Sequence, residues 1–182
     1  MSNPATQPAA GAAAEAPQLP TSPQQLLARL AELGIAHQNH EHAAVFTVEE
    51  AKALRGELTG GHIKNLFLRN KKEEMWLVVA LEDRAVDLRR LGDVLGAGRL
   101  SFGSAERLKR ALGVEPGSVT PLALANDDAH GVRLALDRGV MEGGPINAHP
   151  LTNTMTTALA PADLLRFFAA TGHEPLWLDF PL

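Results

Sequence analysis

The sequence contains no cysteine, which excludes a disulfide framework, a thiolate metal site, an iron–sulfur cluster and a cysteine nucleophile. No apolar run approaches the roughly 18 residues of a membrane helix, and no basic stretch followed by an apolar one marks a secretory signal. The 17 basic and 21 acidic residues give a net charge of −4, whereas proteins that coat nucleic acid without specificity are strongly basic. We therefore expect a cytoplasmic protein with neither membrane nor DNA as a partner.

The length of 182 residues and the 45% hydrophobic content fit one globular domain. The first 22 residues differ from the rest, with seven alanines, four prolines and a single charge at Glu15. Such a stretch buries too little apolar surface to offset the entropy of ordering it. A transit peptide is the alternative, but those are rich in arginine, and the first arginine is Arg29. We predict a disordered tail over residues 1–22 and one domain over residues 23–182.

Local patterns predict a mixture of helices and strands. Capping residues and apolar spacing predict helices that begin at Ser22-Pro23 and end at Gly34, and helices over residues 47–54, 87–95, 104–112 and 161–170. Strands are predicted over residues 35–42, 63–68, 75–81, 132–136, 154–159 and 175–180, with a β-hairpin turn at residues 70–74 and loops over residues 113–128 and 139–150. Because strands and helices do not alternate regularly, the fold class is α+β, a single compact domain with helices packed on a central mixed sheet.

Three histidines, His37, His40 and His42, lie within six residues and suggest a metal cluster. On a strand only His40 and His42 share a face, and two imidazoles make a poor metal site without a third ligand. A polar edge strand is the simpler interpretation.

Lys64 lies inside the apolar segment 63–68, directly after Gly60-Gly61. Strand alternation places it on one face with Leu66 and Leu68. A lysine among core-facing leucines needs an anion or a polar cleft, although it could also extend to water at the sheet edge.

The segment Gly143-Gly144-Pro145-Ile146-Asn147-Ala148-His149-Pro150 is a third candidate. Two glycines let a ligand approach backbone N–H groups, which can hold a developing oxyanion. His149 could orient a hydroxyl or a water. A tight connection whose histidine caps a carbonyl is the alternative.

Together these segments resemble a known family. The sequence pieces that carry the resemblance occur in order: Phe46-Thr47-Val48-Glu49-Glu50-Ala51, Lys64-Asn65-Leu66-Phe67-Leu68, residues 112–127 with Gly117-Ser118-Val119-Thr120-Pro121, and Gly144 followed by His149-Pro150-Leu151, Asn153 and Thr156. This set resembles the YbaK-like aminoacyl-tRNA editing domains, and within them the free-standing bacterial deacylases that hydrolyse alanine mischarged on proline tRNA. The resemblance covers residues 23–180.

The resemblance implies a hydrolase without a cofactor or metal, acting on Ala-tRNA(Pro), with prolyl-tRNA synthetase as a further candidate partner. By likeness to the family, Lys64 and Asn65 bind the 3′ end of the substrate. Gly143 and Gly144 match the loop whose backbone faces the scissile carbonyl, and His149 lies in the loop that closes the aminoacyl pocket. A positioned water, assisted by the ribose hydroxyl of the substrate, would attack the ester.

Specificity would follow from pocket size, because a synthetase built for proline rejects the smaller alanine by only about 1–3 kcal/mol. Phe46, Thr47 and Val48 match the family segment that lines the small side-chain pocket. A deacylase for Cys-tRNA(Pro), a non-catalytic module that binds tRNA or a synthetase, and a histidine–metal hydrolase are the alternatives.

Residues 62–110 carry 11 basic against 7 acidic residues, and the remainder carries 6 against 14. A modest basic face on an acidic protein suits the docking of one polyanionic feature, while solvated helix and turn faces are the simpler interpretation. The candidate contacts to the tRNA acceptor stem are Arg84, Arg89, Arg90, Arg107, Lys109 and Arg110.

Overall fold

The computed structural model describes residues 20–44 and 58–182. In this part of the chain the strands are β1 (His37–Glu41), β2 (Gly61–Arg69), β3 (Met75–Leu81), β4 (Ser101–Phe102), β5 (Val132–Asp137), β6 (Ile146–Ala148), β7 (Met155–Leu159) and β8 (Leu176–Leu178). The α-helices are α1 (Pro23–Glu32), α2 (Leu88–Val94), α3 (Ala105–Leu112) and α4 (Pro161–Ala170), with 3₁₀ turns at Pro121–Asn126 and Arg138–Met141.

Side-chain caps fix where three of the helices begin. Ser22 forms a capping box with Gln25 at the start of α1, Asp87 accepts the N–H groups of Arg89 and Arg90 at α2, and Ser104 caps α3. These caps satisfy N–H groups that have no partner inside the helix. The helices predicted from these signals are confirmed.

The described strands form one mixed sheet in the order β1-β7-β6-β2-β3-β5-β8, with β4 paired to β2. β2 and β3 are the predicted antiparallel hairpin, whereas β6 runs parallel to β2. β5 runs parallel to both β3 and β8. This mixture of parallel and antiparallel pairs confirms the predicted α+β class.

The two faces of the sheet carry separate cores. On the inner face, α1, α3 and α4 pack against alternate strand residues that include Phe67, Leu77 and Leu134. On the outer face, α2 and the C-terminal residues cover the part formed by β3, β5 and β8, where Trp76 and Val78 are buried. Residues of β2 with even numbers therefore lie on the outer face and those with odd numbers on the inner face.

The described structure contains the short strand β4 and two 3₁₀ turns that the sequence did not predict, and it differs from the prediction at two further places. Thr21 is buried and its N–H donates to Asn126 Oδ1 at 2.8 Å, so the fold includes residues that were assigned to the tail. The predicted loop 139–150 contains β6, which pairs with both β2 and β7. Three residues are too few to show strand periodicity, and only the tertiary pairing defines this strand. The predicted helix 47–54 lies outside the described residues.

Asp127 ties the end of α4 to the start of β5. Its carboxylate accepts the N–H groups of Gly131 and Val132 and bonds to His173 Nε2 at 3.1 Å. Burial opposes ionisation of this carboxyl, but the bonds from His173, Val132 and Gly131 outweigh it and hold the pKa of Asp127 below its usual value.

Asp127→Asn should lower the free energy of unfolding at pH 7 by about 2 kcal/mol, because it removes charge-assisted bonds from a buried site. The pKa of the Asp127 carboxyl is lower in the folded state than in the unfolded state, where it is near 4. The resulting stabilisation is fully present above the unfolded-state pKa and is lost as the pH falls through the folded-state pKa. The difference between wild type and variant in the free energy of unfolding, measured with urea, should therefore become smaller below about pH 4. The exposed neighbour offers a matched control, Asp128→Asn, and an equal loss in both variants would contradict this role.

Candidate functional site

Lys64 lies on the outer face of β2 together with Leu66 and Leu68, as the spacing of two residues between them predicts. It is opposite Ala80 of β3, and its ammonium donates a hydrogen bond to the backbone carbonyl of Arg84, in the turn after β3. The side chain is partly buried. Because an ammonium has three N–H donors, this bond orients the group while leaving donors for a ligand.

A close crossing of two backbones brings β6 beside the start of β2. The N–H of Gly61 donates to the carbonyl of Pro145 at 2.7 Å. Gly60 has a φ of +117°, and a Cβ at this position would overlap the Pro145 carbonyl. The two glycines thus set the distance between Lys64 and the loop that contains Gly143 and Gly144.

Asn147 points to the same outer face as Lys64, since it pairs with His62 in the parallel register. Its Nδ2 donates to the carbonyl of Thr59, whereas its Oδ1 is buried without a partner in the described part of the chain. A buried acceptor of this kind favours a hydrogen-bond donor from a ligand or a water. The resemblance did not single out Asn147, and its signal is visible only once β6 is known to be a strand.

His149 follows β6 directly, and its Nδ1 lies 3.1 Å from the carbonyl oxygen of Met155. A carbonyl only accepts, so Nδ1 carries the proton and Nε2 keeps a free lone pair when the ring is neutral. Burial lowers the pKa of His149 below its usual value, the bond to Met155 partly opposes this shift, and the electrostatic interaction with His42 lowers the pKa a little further. The ring is therefore neutral at pH 7 and able to accept a proton.

His42 and Thr156 form a second polar pair at this end of the sheet. His42 Nε2 lies 2.9 Å from Thr156 Oγ1, and its Nδ1 lies 2.9 Å from the carbonyl of Ala43. In the neutral ring Nδ1 donates and Nε2 accepts from the hydroxyl. The predicted edge strand is confirmed as β1, which contains His37 and His40 on opposite faces and ends at Glu41, one residue before His42.

The described residues contain no group of three or more metal-ligating side chains. Across the same ranges no helix is both long and apolar enough to cross a membrane.

The structure separates Asn65 from Lys64. Asn65 lies on the inner face, where its Nδ2 donates to the carbonyl of Val119 at 3.0 Å and its Oδ1 is buried without a described partner. Adjacent residues of a strand point to opposite faces, so the two side chains do not share one cleft. Phe46, Thr47 and Val48 lie outside the described residues.

The six basic residues proposed for tRNA contact divide into two groups. Arg84, Arg89 and Arg90 precede or begin α2 on the outer face, whereas Arg107, Lys109 and Arg110 lie on α3, which packs on the inner face. Arg89 and Arg90 are exposed. Three of the six are paired with acidic residues: Arg84 with Asp137, Arg107 with Glu73, and Lys109 with Glu115.

The site thus combines a lysine and an asparagine on one sheet face with a neutral histidine at the end of β6 and a close backbone crossing at two glycines. The family model described as the aminoacyl-tRNA editing domain matches residues 42–167. The chain belongs to this family. The match begins at His42 and includes Lys64, Asn147, His149 and Thr156, so all of these site residues lie within the editing domain.

Relatives of this editing domain have names that refer to proline tRNA or its synthetase. The mouse (Mus musculus) prolyl-tRNA synthetase associated domain-containing protein 1 is 42% identical over 161 residues, which are 86% of this chain and 95% of that protein. The prolyl-tRNA editing protein ProX of Acetoanaerobium sticklandii is 35% identical over 151 residues, covering 82% of this chain and 92% of that protein.

Solved structures share the fold at lower identity. A crystal structure described as a candidate trans-editing enzyme for prolyl tRNA synthetase superposes with a TM-score of 0.65 and 21% identity, over 90% of this chain and 100% of that chain. The family and the fold class expected from the sequence are therefore confirmed.

Proposed function

We propose that this editing domain is a trans-editing hydrolase that removes alanine from mischarged tRNA(Pro) by hydrolysing the aminoacyl ester. The observation that carries the proposal is the placement of Lys64 and Asn147 on one face of the sheet, with a neutral His149 directly after β6 and an exposed glycine loop before it. An aminoacyl ester is already activated, so a positioned water and a polarised carbonyl are sufficient, and neither a covalent nucleophile nor a metal is needed.

Lys64 binds and positions the 3′ end of the substrate in this proposal. Its ammonium is held by the Arg84 carbonyl, which fixes one donor and leaves two for ribose or phosphate oxygens of the terminal nucleotide. A lysine that keeps its proton is an electrostatic anchor and no base. The N–H groups of Gly143 and Gly144 would stabilise the oxyanion that forms when water attacks the carbonyl.

His149 would accept a hydrogen bond through Nε2 from the attacking water or from the ribose hydroxyl that orients it. The tetrahedral intermediate then collapses with cleavage of the bond between the acyl carbon and the ribose oxygen. The proton that the attacking water gave up is transferred to that ribose oxygen, which releases alanine and tRNA with a free hydroxyl. Nδ1 stays bonded to Met155, which fixes the ring orientation.

The pH profile of kcat/KM should reflect the lowered pKa of His149. Because the neutral ring is the competent form, the rate should be constant between pH 6.5 and 8, after subtraction of the spontaneous hydrolysis, and should fall only in more acidic solution. His149→Asn should remove the acidic limb. A wild-type limb with its midpoint above pH 7 would contradict a buried neutral histidine.

The experiment that tests the proposed function is single-turnover deacylation of four esters, Ala-tRNA(Pro), Pro-tRNA(Pro), Cys-tRNA(Pro) and Ala-tRNA(Ala). Rapid loss of alanine from tRNA(Pro), with the other three esters stable, is the expected pattern. Preferential loss of cysteine would assign the domain to the related deacylase for Cys-tRNA(Pro). The names of the relatives support proline tRNA as the carrier.

The acceptor stem is proposed to contact Arg89 and Arg90, which are exposed in the first turn of α2, a few residues from the carbonyl that anchors Lys64. Reversing both charges should raise KM for the full tRNA by about tenfold and leave a minimal 3′-end substrate unaffected. The charge-matched control is Lys71→Glu with Lys72→Glu, in the exposed hairpin turn. Equal effects of the Arg89/Arg90 reversal on both substrates would defeat this assignment.

A further inference from the structure

We propose that Arg84 and Asp137 are positioning residues that set the place of the Lys64 ammonium, an inference that rests on the proposed function. The sequence suggested Arg84 as a tRNA contact, but the structure gives its side chain a different set of partners. Its backbone carbonyl accepts the bond from Lys64, and its guanidinium is bound by Asp137.

Asp137 holds both ends of the turn that follows β3. Only 1% of this residue is exposed. Its Oδ2 accepts the N–H of Leu81 at 3.2 Å and Arg84 Nε at 3.0 Å, and its Oδ1 accepts the N–H of Gly139 at 2.8 Å. Since one carboxylate binds Leu81 and Arg84, it fixes the turn between them and therefore the direction of the Arg84 carbonyl.

The guanidinium of Arg84 is enclosed on other sides. Its Cζ lies 5.6 Å from the centre of the Phe180 ring, and a Cβ at position 139 would overlap its Nη2. An arginine held by a buried carboxylate, an aromatic face and a glycine backbone has few rotamers left. The chain from Asp137 through Arg84 to Lys64 thus lies on the outer face and ends at the proposed 3′-end anchor.

This arrangement also argues against a phosphate contact by Arg84. Moving the guanidinium to a phosphate would leave the buried Asp137 carboxylate without its counter-ion, bonded only to the N–H groups of Leu81 and Gly139, and the loss of a buried ion pair opposes this movement. Arg89 and Arg90, by contrast, are exposed. Loss of a residue that positions Lys64 should lower kcat on the full tRNA and on a minimal 3′-end ester alike. Loss of a residue that contacts the acceptor stem should raise KM for the full tRNA alone.

The test compares Arg84→Ala, Arg84→Lys and Asp137→Asn on Ala-tRNA(Pro) and on a minimal 3′-end ester. Arg84→Ala should lower kcat at least tenfold and equally on both substrates, with KM little changed, because the anchor is displaced while the acceptor-stem contacts remain. Arg84→Lys should recover part of kcat, since it restores the charge opposite Asp137. A loss confined to KM for the full tRNA would overturn the proposal and return Arg84 to the tRNA contacts.

Positioning through Lys64 also predicts non-additivity. Adding Arg84→Ala to Lys64→Ala should lower the residual rate less than twofold, because the group that Arg84 positions is already gone. A full tenfold further loss in the double variant would show that Arg84 acts on folding or on another part of the site, and would contradict the proposal.

A readout independent of turnover separates this proposal from the proposed function. Acylation of lysines by a small amine-reactive activated ester, which transfers its acyl group to Nζ and releases its alcohol, followed by peptide mass spectrometry, should show faster labelling of Lys64 in Arg84→Ala, and in Arg84→Lys to a smaller extent, with Lys72 unchanged. Wild type that is inactive on both esters would refute the deacylase assignment while leaving this labelling test valid. Unchanged Lys64 labelling in folded variants would overturn the positioning role.

Discussion

Lys64→Ala should reduce the single-turnover rate on Ala-tRNA(Pro) about 100- to 1,000-fold, the loss typical of removing one preorganised donor from an active site. The reason is geometric, because the ammonium is oriented by the Arg84 carbonyl on the sheet face that also carries Asn147. The substitution leaves a small hydrophobic residue beside Ala80 on a strand that is otherwise well packed, so the melting temperature should change by only a few degrees.

The matched control for this variant is Lys72→Ala, which removes the same charge from the exposed hairpin turn. It should retain the wild-type rate. A folded Lys64→Ala protein within threefold of wild type would remove Lys64 from the mechanism and require another anchor for the 3′ end.

Gly60→Ala should cost about 3 kcal/mol of stability and most of the activity. The position combines a φ of +117°, which disfavours any side chain, with direct overlap of the new Cβ and the Pro145 carbonyl. To remove this overlap, β6 must move away from β2, and that movement separates Asn147 and His149 from Lys64. Urea unfolding measures the first effect, and deacylation at a temperature where the variant is folded measures the second.

Gly131→Ala offers the matched control, because a Cβ there meets only ordinary contacts at 3.6 Å and 3.7 Å. Gly143→Ala is informative in a different way, since among the described residues no atom beyond its chain neighbours lies within 4 Å of a Cβ built there, and the fold should tolerate the substitution. A loss of rate in Gly143→Ala without a loss of stability would support a role of its N–H in binding the oxyanion. Wild-type stability in Gly60→Ala would contradict the close crossing.

The sequence was sufficient to predict the hairpin and the orientation of Lys64, because two apolar segments flank a polar turn and adjacent side chains of a strand point to opposite faces. The helix starts at Ser22, Asp87 and Ser104 were equally readable, since capping is a local interaction. These features depend on residues that are neighbours in the chain.

The parts that were not predictable depend on contacts between distant segments. The strand character of residues 146–148 exists only through pairing with β2 and β7. The bond that Arg84 Nε donates to Asp137 joins residues 53 positions apart, and no local pattern indicates that this arginine is bound to a buried carboxylate. The family resemblance groups Asn65 with Lys64, although strand alternation alone separates their faces.

The central claim is that this editing domain turns over Ala-tRNA(Pro) and does not merely bind it. The most direct measurement follows binding and ester loss in one sample, with the domain in excess over Ala-tRNA(Pro) carrying labelled alanine. The account predicts that alanine is released faster than the spontaneous rate and that Lys64→Ala suppresses this release. Stable binding of the tRNA with its alanine ester intact would contradict the account and identify the chain as a binding module.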